Sequence, residues 1–260
     1  QQQQQQQQQQ QGEELLQRRL LECYTEICMH FKPVLSLFFL EAAASPGDWF
    51  MKRRQFVVSA AAASVAGFAA GLGDRHLGNL LLQQQTGQLV HIDFGILFEL
   101  GSLLPIPETI PFRLSRDIAD ALGCFGVQGP FKSFCCCALL LLRCSSPLVD
   151  AVLQVLLLDP LYSWRHPSKL LLQQQQQQQH LYHQQMLNHQ LLNADTEGLS
   201  TVEGNKIAMR AILKVRCKLQ GLETEGEAPL SVAAQVDRLL NAAQSPHNLS
   251  RLFAGWMPFA

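Results

Sequence analysis

Apolar positions along the chain form a series of helical stripes, interrupted by one short stretch of paired strand signals. From Glu13 to Phe31 they recur at Leu16, Leu20, Cys23, Tyr24, Ile27, Cys28 and Phe31, the spacing of one helix face. Pro33 interrupts this stripe, and Val34 to Leu40 continues apolar. Ser45-Pro46-Gly47 predicts a turn. Asp48 then suits an N-cap for a helix from about Trp49 towards Gly71, with an Ala-rich face for close packing. Gly71 and Gly73 end that helix. Leu80 to Leu82 and Leu89 to Ile92 flank Gln85-Thr86-Gly87 and predict a β-hairpin. Gly95 to Pro111 predicts a long, Pro-rich loop, and loops of that length usually carry function. Ser115 to Leu158 is helical in pattern, with breaks at Gly126 to Pro130 and Ser145 to Pro147. Lys206 to Leu219 predicts another helix. Pro229 to Ala260 predicts a small separate unit: an amphipathic helix over Val232, Val236, Leu239 and Leu240, then an aromatic end with Phe253, Trp256 and Phe259. The fold class expected is mainly α with a small β-hairpin.

Composition changes this picture in two places. Glutamine occurs 32 times in 260 residues, 18 of them in the tracts Gln1–Gln11 and Gln173–Gln179. Polar runs bury no apolar area, so residues 1–12 and the Gln/His-rich segment 173–198 are expected to be disordered. Lys and Arg number 20 against 21 Asp and Glu, a balance that argues against direct nucleic-acid binding. The polar start predicts no secretory signal. The eight cysteines lack disulfide-framework or paired CxxC spacing, and Cys135-Cys136-Cys137 suits a reducing compartment. Those three point in different directions on a helix and cannot ligate one metal. Phe56 to Gly73 is uncharged over 18 residues, but its Ala, Gly and Ser content predicts a buried helix rather than a membrane span. Lys52-Arg53-Arg54 predicts a solvated basic face, and His180, His183 and His189 belong to low complexity rather than a metal site.

The chemistry is concentrated between Gly71 and Gly95. Gly71-Leu72-Gly73-Asp74-Arg75-His76-Leu77-Gly78-Asn79 places an Asp, a His and an Asn just before the hairpin, and Asp93-Phe94-Gly95 follows its second strand. A hairpin joins its own ends, so Asp74, Asn79 and Asp93 can converge. Two carboxylates and an amide are hard oxygen ligands suited to Mg²⁺. Phosphoryl transfer needs such a set, with one carboxylate to orient the attacking hydroxyl. Protein kinases space their base Asp and metal-binding Asn five residues apart, with a DFG Asp beyond. Asp74 and Asn79 have the same spacing.

The Asp-Arg-His order resembles the phosphatidylinositol 3-kinase-related protein kinase family. His91-Ile92-Asp93-Phe94-Gly95 is similar to that family's metal-binding segment. Pro107-Glu108-Thr109-Ile110-Pro111-Phe112-Arg113-Leu114-Ser115-Arg116-Asp117 is similar to the end of its activation loop. Asn248-Leu249-Ser250-Arg251-Leu252-Phe253-Ala254-Gly255-Trp256 resembles the FATC element of its protein-kinase branch. The resemblance implies the C-terminal lobe of a phosphatidylinositol 3/4-kinase-type fold over residues 13–172, a helical regulatory segment over 199–227 and a FATC domain over 228–260, docked on the kinase lobe. It implies Asp74 as base, His76 as stabiliser of the transferring phosphoryl group, and Asn79 and Asp93 as ligands of Mg²⁺ or Mn²⁺. Arg75 is expected either to form a structural salt bridge or to contact the ATP phosphates. It also implies Ser or Thr followed by Gln as acceptor, a DNA-damage, repair, checkpoint and telomere role, a nuclear location, a double-strand-break sensor complex as partner, and a homodimer of the full-length protein.

Substrate class has a physical argument of its own. A phosphoinositide headgroup is anionic and calls for Lys or Arg, yet none lies between Asp93 and Arg113. The loop is aliphatic and suits a peptide, which favours a protein substrate over a phosphoinositide. A kinase also needs a glycine-rich cover and a strand Lys over the phosphates, and neither occurs upstream of Asp74. The expectation is therefore a C-terminal part of a larger polypeptide, or a truncated gene model, with weak or no activity alone. The alternative functions are a catalytically inactive interaction module and, behind it, a phosphoinositide kinase.

Overall fold

The computed structural model describes residues 2–158, 202–223 and 228–256. The expected Gln/His-rich insertion, with its three histidines, lies outside them, as does Phe259. The order of elements is α1 (Gln2–His30), α2 (Leu35–Glu41), α3 (Pro46–Ala70), β1 (Leu80–Leu82), β2 (Leu89–His91), α4 (Arg116–Ala121), α5 (Pro130–Cys144), α6 (Ser146–Leu158), α7 (Val202–Gln220), α8 (Val232–Gln244) and α9 (Pro246–Leu249). The strands pair antiparallel, Leu80 with His91 and Leu82 with Leu89. The mainly helical class with one small hairpin is thus observed.

Helix α1 corrects the expectation of a disordered start, because it runs back through the first glutamine tract. Glutamine is a good helix former, and extending an existing helix costs far less than nucleating one.

Helix α3 is the central element. Its start differs from the expectation: Ser45 is the N-cap, its hydroxyl accepting from the Asp48 amide, with Pro46 in the first turn. The Asp48 carboxylate in turn accepts from the Ala44 amide at 3.0 Å and pairs with Lys52. The pair resembles a capping box, except that Asp48 reaches back to the amide of the residue before the cap rather than to that of the cap itself. Two amides at the helix entrance are satisfied by side chains only three residues apart. At the other end Gly71 turns left-handed at φ 62°, a conformation that glycine adopts without steric penalty. Leu72 then donates to Gly67 and Gly71 to Phe68, closing the helix as a Schellman turn.

The core lies between α3, α5 and α8. Phe39, Phe56, Phe131, Leu139 and Leu240 are fully buried, with Ala60, Ala61, Val65, Cys135 and Val236 among them. The small side chains of α3 let α5 approach closely, as the Ala-rich face predicts. No single helix among the described residues is long and apolar enough to cross a membrane. Cys135 is buried, Cys136 half-buried and Cys137 exposed, as three consecutive helical positions must be. Burial pushes the Cys135 thiol up to about 12.

Residues 228–256 do not form a separate unit. Val236, Leu239, Leu240 and Ala243 of α8 belong to the main core. Gln235, fully buried, accepts from Arg143 of α5 at 2.6 Å and donates to the Lys218 carbonyl of α7 and to Glu223. Beyond α9, Trp256 packs with Leu249, Leu252 and Tyr24 of α1. Of the two described aromatics at this end, Trp256 docks in this way and Phe253 is exposed. The basic run is also more structural than solvated. Lys52 donates to the Ala42 carbonyl, and Arg53 donates to the Leu122 carbonyl while lying over the Trp49 ring.

Candidate active site

The site begins where α3 stops. The carbonyls at a helix C-terminus lack helical partners, and here the later loop supplies them. Phe98 donates to Ala70, Glu99 donates to Gly71, and Lys218 of α7 reaches the Phe68 carbonyl at 2.7 Å. A side chain on Gly71 would collide with the Glu99 amide 2.6 Å away. The end of α3 therefore anchors both the loop that follows it and the loop after β2.

Asp74 and Asp93 both sit in the left-handed region, at φ 53° and 57°. Among the described residues the non-glycine positions with positive φ are these two together with Phe98 and Glu99. Asp tolerates this conformation better than most residues, but it still costs free energy and needs support from its surroundings. Among the described residues this strain is confined to the two predicted acids and the loop beside them.

The support is visible. The Asp74 amide donates to Glu108 at 2.7 Å, and the Asp74 carbonyl accepts from the Asn79 side-chain amide at 2.8 Å. Asp74 is thus held on both sides of its main chain. The Asn79 nitrogen is used in this way, so its oxygen is the end available to a cation. Asn79 itself is buried. Its carbonyl accepts from the Ile92 amide, directly across the hairpin mouth. Asp93, one residue further, accepts the Gly95 amide on its own carboxylate.

Arg75 ties the two loops together. It is 3% exposed. Its guanidinium donates to the carbonyls of Gly73 and Ile92 at 2.7 Å each, and to the carbonyl of Asp93. This corrects the expected salt bridge: Arg75 bonds main-chain carbonyls and no carboxylate. Burial lowers its pKa, and the charges of Asp74, Asp93 and Glu108 oppose that. Burial, helped by Arg75, also pulls the neighbouring His91 down to about 4, so its imidazole is neutral at pH 7.

His76 stands at the rim of the loop. Its Nδ1 accepts from the Gly78 amide at 3.1 Å, which leaves Nε2 as the protonated nitrogen. Nε2 lies 4.0 Å from the Asp74 carboxylate, too far for a hydrogen bond. On the hairpin, Leu80, Leu82 and Leu89 pack on the core. The alternate positions Leu81, Val90 and Ile92 form an exposed apolar face, as strand alternation requires. Neither strand carries a lysine. Among the described residues no three His, Cys, Asp or Glu side chains gather as a metal cluster. A hard cation here would draw on Asp93 and Asn79 and complete its shell from phosphates and water, the usual habit of Mg²⁺.

Two groups outside the predicted set shape the site. Glu108 reaches back to Asp74. Glu99 pairs with Lys214 and Lys218 of α7 at 2.8 and 2.7 Å. Burial alone would raise the Glu99 carboxyl, but the two ammonium groups hold it down to about 2. The end of the loop meets the C-terminal elements through Thr109, which donates to the Asn248 carbonyl, and Arg113, which donates to the Trp256 carbonyl and lies over its ring.

Comparison with known proteins defines the class. Residues 2–166 match the family described as phosphatidylinositol 3- and 4-kinase, and residues 229–260 match the FATC domain. The chain belongs to the phosphatidylinositol 3- and 4-kinase family and carries a FATC domain. Within that family it is 40% identical to the serine-protein kinase ATM of Sus scrofa over 247 residues, covering 90% of this chain and 8% of the relative. It is 39% identical to the serine/threonine-protein kinase tel1 of Schizosaccharomyces pombe over 242 residues, covering 92% of this chain and 8% of the relative. The FAT and kinase domain of CtTel1 superposes with a TM-score of 0.75 at 34% identity, over 94% of this chain and 15% of that one. The chain thus spans less than a tenth of the length of these curated relatives.

Proposed function

We propose that this chain carries the catalytic half of a Ser/Thr protein kinase of the DNA-damage-response type, moving the γ-phosphoryl group of ATP to Ser or Thr followed by Gln in proteins. The observation that carries this reading is Arg75, buried and bonded to both loops, which keeps the strained acids Asp74 and Asp93 in one cluster.

Asp74 orients the acceptor hydroxyl and takes its proton as the new O–P bond forms. The bond from the γ-phosphorus to the bridging oxygen breaks, and ADP leaves. His76 offers its Nε2–H to charge on the transferring group. Asn79 and Asp93 hold Mg²⁺ or Mn²⁺, which when bound neutralises phosphate charge. Arg75 acts through the main chain and not on the nucleotide. Leu81, Val90 and Ile92 offer an apolar floor for the adenine. The activation segment, free of Lys and Arg from Ile96 to Phe112, suits a peptide rather than an anionic lipid headgroup. A solved Tel1 relative is a dimer with C2 symmetry, and the same state is proposed for the full-length form of this protein. A nuclear location and recruitment by a double-strand-break sensor complex follow from the same family reading.

The test uses the full-length protein that carries this segment, since the segment by itself is expected to be weakly active or inactive, with labelled ATP, Mn²⁺ and paired Ser-Gln and Ser-Ala peptides. Transfer is expected, favouring Ser-Gln and lost in Asp93→Ala. Absence of any Asp93-dependent transfer overturns the reading in favour of a noncatalytic interaction module.

A further inference from the structure

We infer that Glu108, from the far end of the activation segment, is a positioning residue that sets the catalytic Asp74. The inference rests on the kinase reading and deepens it. It is carried by the cage around one carboxylate, built from three separate places in the chain.

Glu108 follows a loop of fourteen residues after Asp93, yet its Oε1 lies 2.7 Å from the Asp74 amide. That amide belongs to a residue at φ 53°, a conformation that requires an outside partner to persist. Two glycines make the approach possible. A side chain on Gly73 would come within 2.8 Å of Glu108 Oε2, and one on Gly101 would overlap the same carboxylate. The loop also closes on itself there, because the Glu108 amide donates to the Gly101 carbonyl at 3.1 Å. The carboxylate therefore fills a slot where any Cβ would displace it, and its observed bond is to the main chain of the predicted base.

The consequence is mechanical. Asn79 holds the Asp74 carbonyl and Glu108 holds the Asp74 amide. Together they fix the peptide planes on both sides of the base and so aim its side chain. Glu108 sits on the segment that would meet the substrate, so the placement of that segment and the aim of the base are linked through a single charge-assisted bond. Disorder in the activation segment would release the Asp74 amide and let the base drift. A displacement of about 1 Å at a reacting group costs on the order of a hundredfold in rate.

The experiment measures peptide transfer and ATP dependence with the full-length protein that carries this segment, for wild type, Asp93→Ala, Glu108→Ala, Glu108→Gln and Gly101→Ala. Glu108→Ala should lower kcat about a hundredfold with KM for ATP changed by less than about twofold, because the bond is to the base and not to Asn79 or Asp93. Glu108→Gln keeps an acceptor oxygen of the same reach and should recover most of the rate. Gly101→Ala leaves Glu108 in the sequence but evicts its carboxylate. It should reproduce the loss of kcat, which keeps the test open if Glu108→Ala fails to fold. Wild-type transfer that Asp93→Ala abolishes but Glu108→Ala and Gly101→Ala leave unchanged overturns this inference alone. The same holds if KM for ATP rises with kcat intact, or if Glu108→Gln is no better than Glu108→Ala. Lack of any Asp93-dependent transfer removes the kinase reading and this inference together.

Discussion

The helical body and the loop cluster at the end of α3 are held by different kinds of force. In the body, Phe39, Phe56, Phe131, Leu139 and Leu240 bury apolar surface among helices whose main-chain groups are already paired within themselves. In the loop cluster little apolar area is involved. Arg75, Asn79 and Glu108 instead reach main-chain groups that no regular element satisfies, and Lys218 adds a second donor to the Phe68 carbonyl at the end of α3. Apolar packing is non-directional and tolerates substitutions of similar volume. A side chain bonded to a particular carbonyl does not, since its removal leaves a buried acceptor without a partner. The body can thus drift in sequence while keeping its shape, whereas the loop cluster keeps its shape only with specific polar residues.

This contrast can be broken from either side. The largest effect on stability is expected in the body: Phe56→Ala should cost about 3–5 kcal/mol, read from urea denaturation. A loss below about 1 kcal/mol would show that the core is not where α3 is held. Next comes Arg75→Ala, about 3 kcal/mol for three abandoned carbonyls. It should also abolish Mn²⁺-dependent ATP binding, and calorimetry checks this. Arg75→Lys should not restore binding, because an ammonium group cannot span the Gly73, Ile92 and Asp93 carbonyls as the planar fork does. Full rescue by lysine would mean that charge alone matters.

Smaller effects sharpen the boundary between the two regions. Ser45→Ala removes the N-cap of α3 and should cost about 1 kcal/mol, measured as a fall in Tm, without changing peptide preference. Glu99→Gln should cost under about 1 kcal/mol, as partly exposed ion pairs do, and its signature lies in pH. The Glu99 carboxyl is held down to about 2 in the folded chain, below its ordinary value near 4.5. Its contribution is complete above that ordinary value and is lost as pH falls towards 2. Denaturation curves of wild type and Glu99→Gln should therefore differ at neutral pH and converge in acid. Curves that stay equally far apart at pH 2 would dissociate Glu99 from the α7 contact.

Much of the body was legible beforehand. The stripe over Val232, Val236, Leu239 and Leu240 predicted α8, and Leu80–Leu82 with Leu89–Ile92 predicted the hairpin. The glutamine tract was misread because composition signals what cannot form a core, which is a different matter from what can extend a helix. Asp48 was assigned as the cap one turn late, since Ser45 and Asp48 are both good caps and only the geometry distinguishes the N-cap from its reciprocal partner. At the site, type and spacing single out Asp74, His76, Asn79 and Asp93, whose roles remain those proposed above. The role of Arg75 is not legible there, and neither is that of Glu108, which the sequence marks only as part of the run similar to the end of the activation loop.

Residue order alone determined most of the helical segments and where the hairpin lies. These depend on neighbours within a few positions, where periodicity and turn chemistry act. The tertiary structure decided which main-chain group each buried polar side chain reaches: Arg75 to Ile92 and Asp93, Glu108 to Asp74, Lys218 to Phe68. Every residue carries the same carbonyl, and all but proline the same amide, so nothing in residue type at the receiving position marks it as a partner. Only the folded path of the chain brings donor and acceptor within 3 Å.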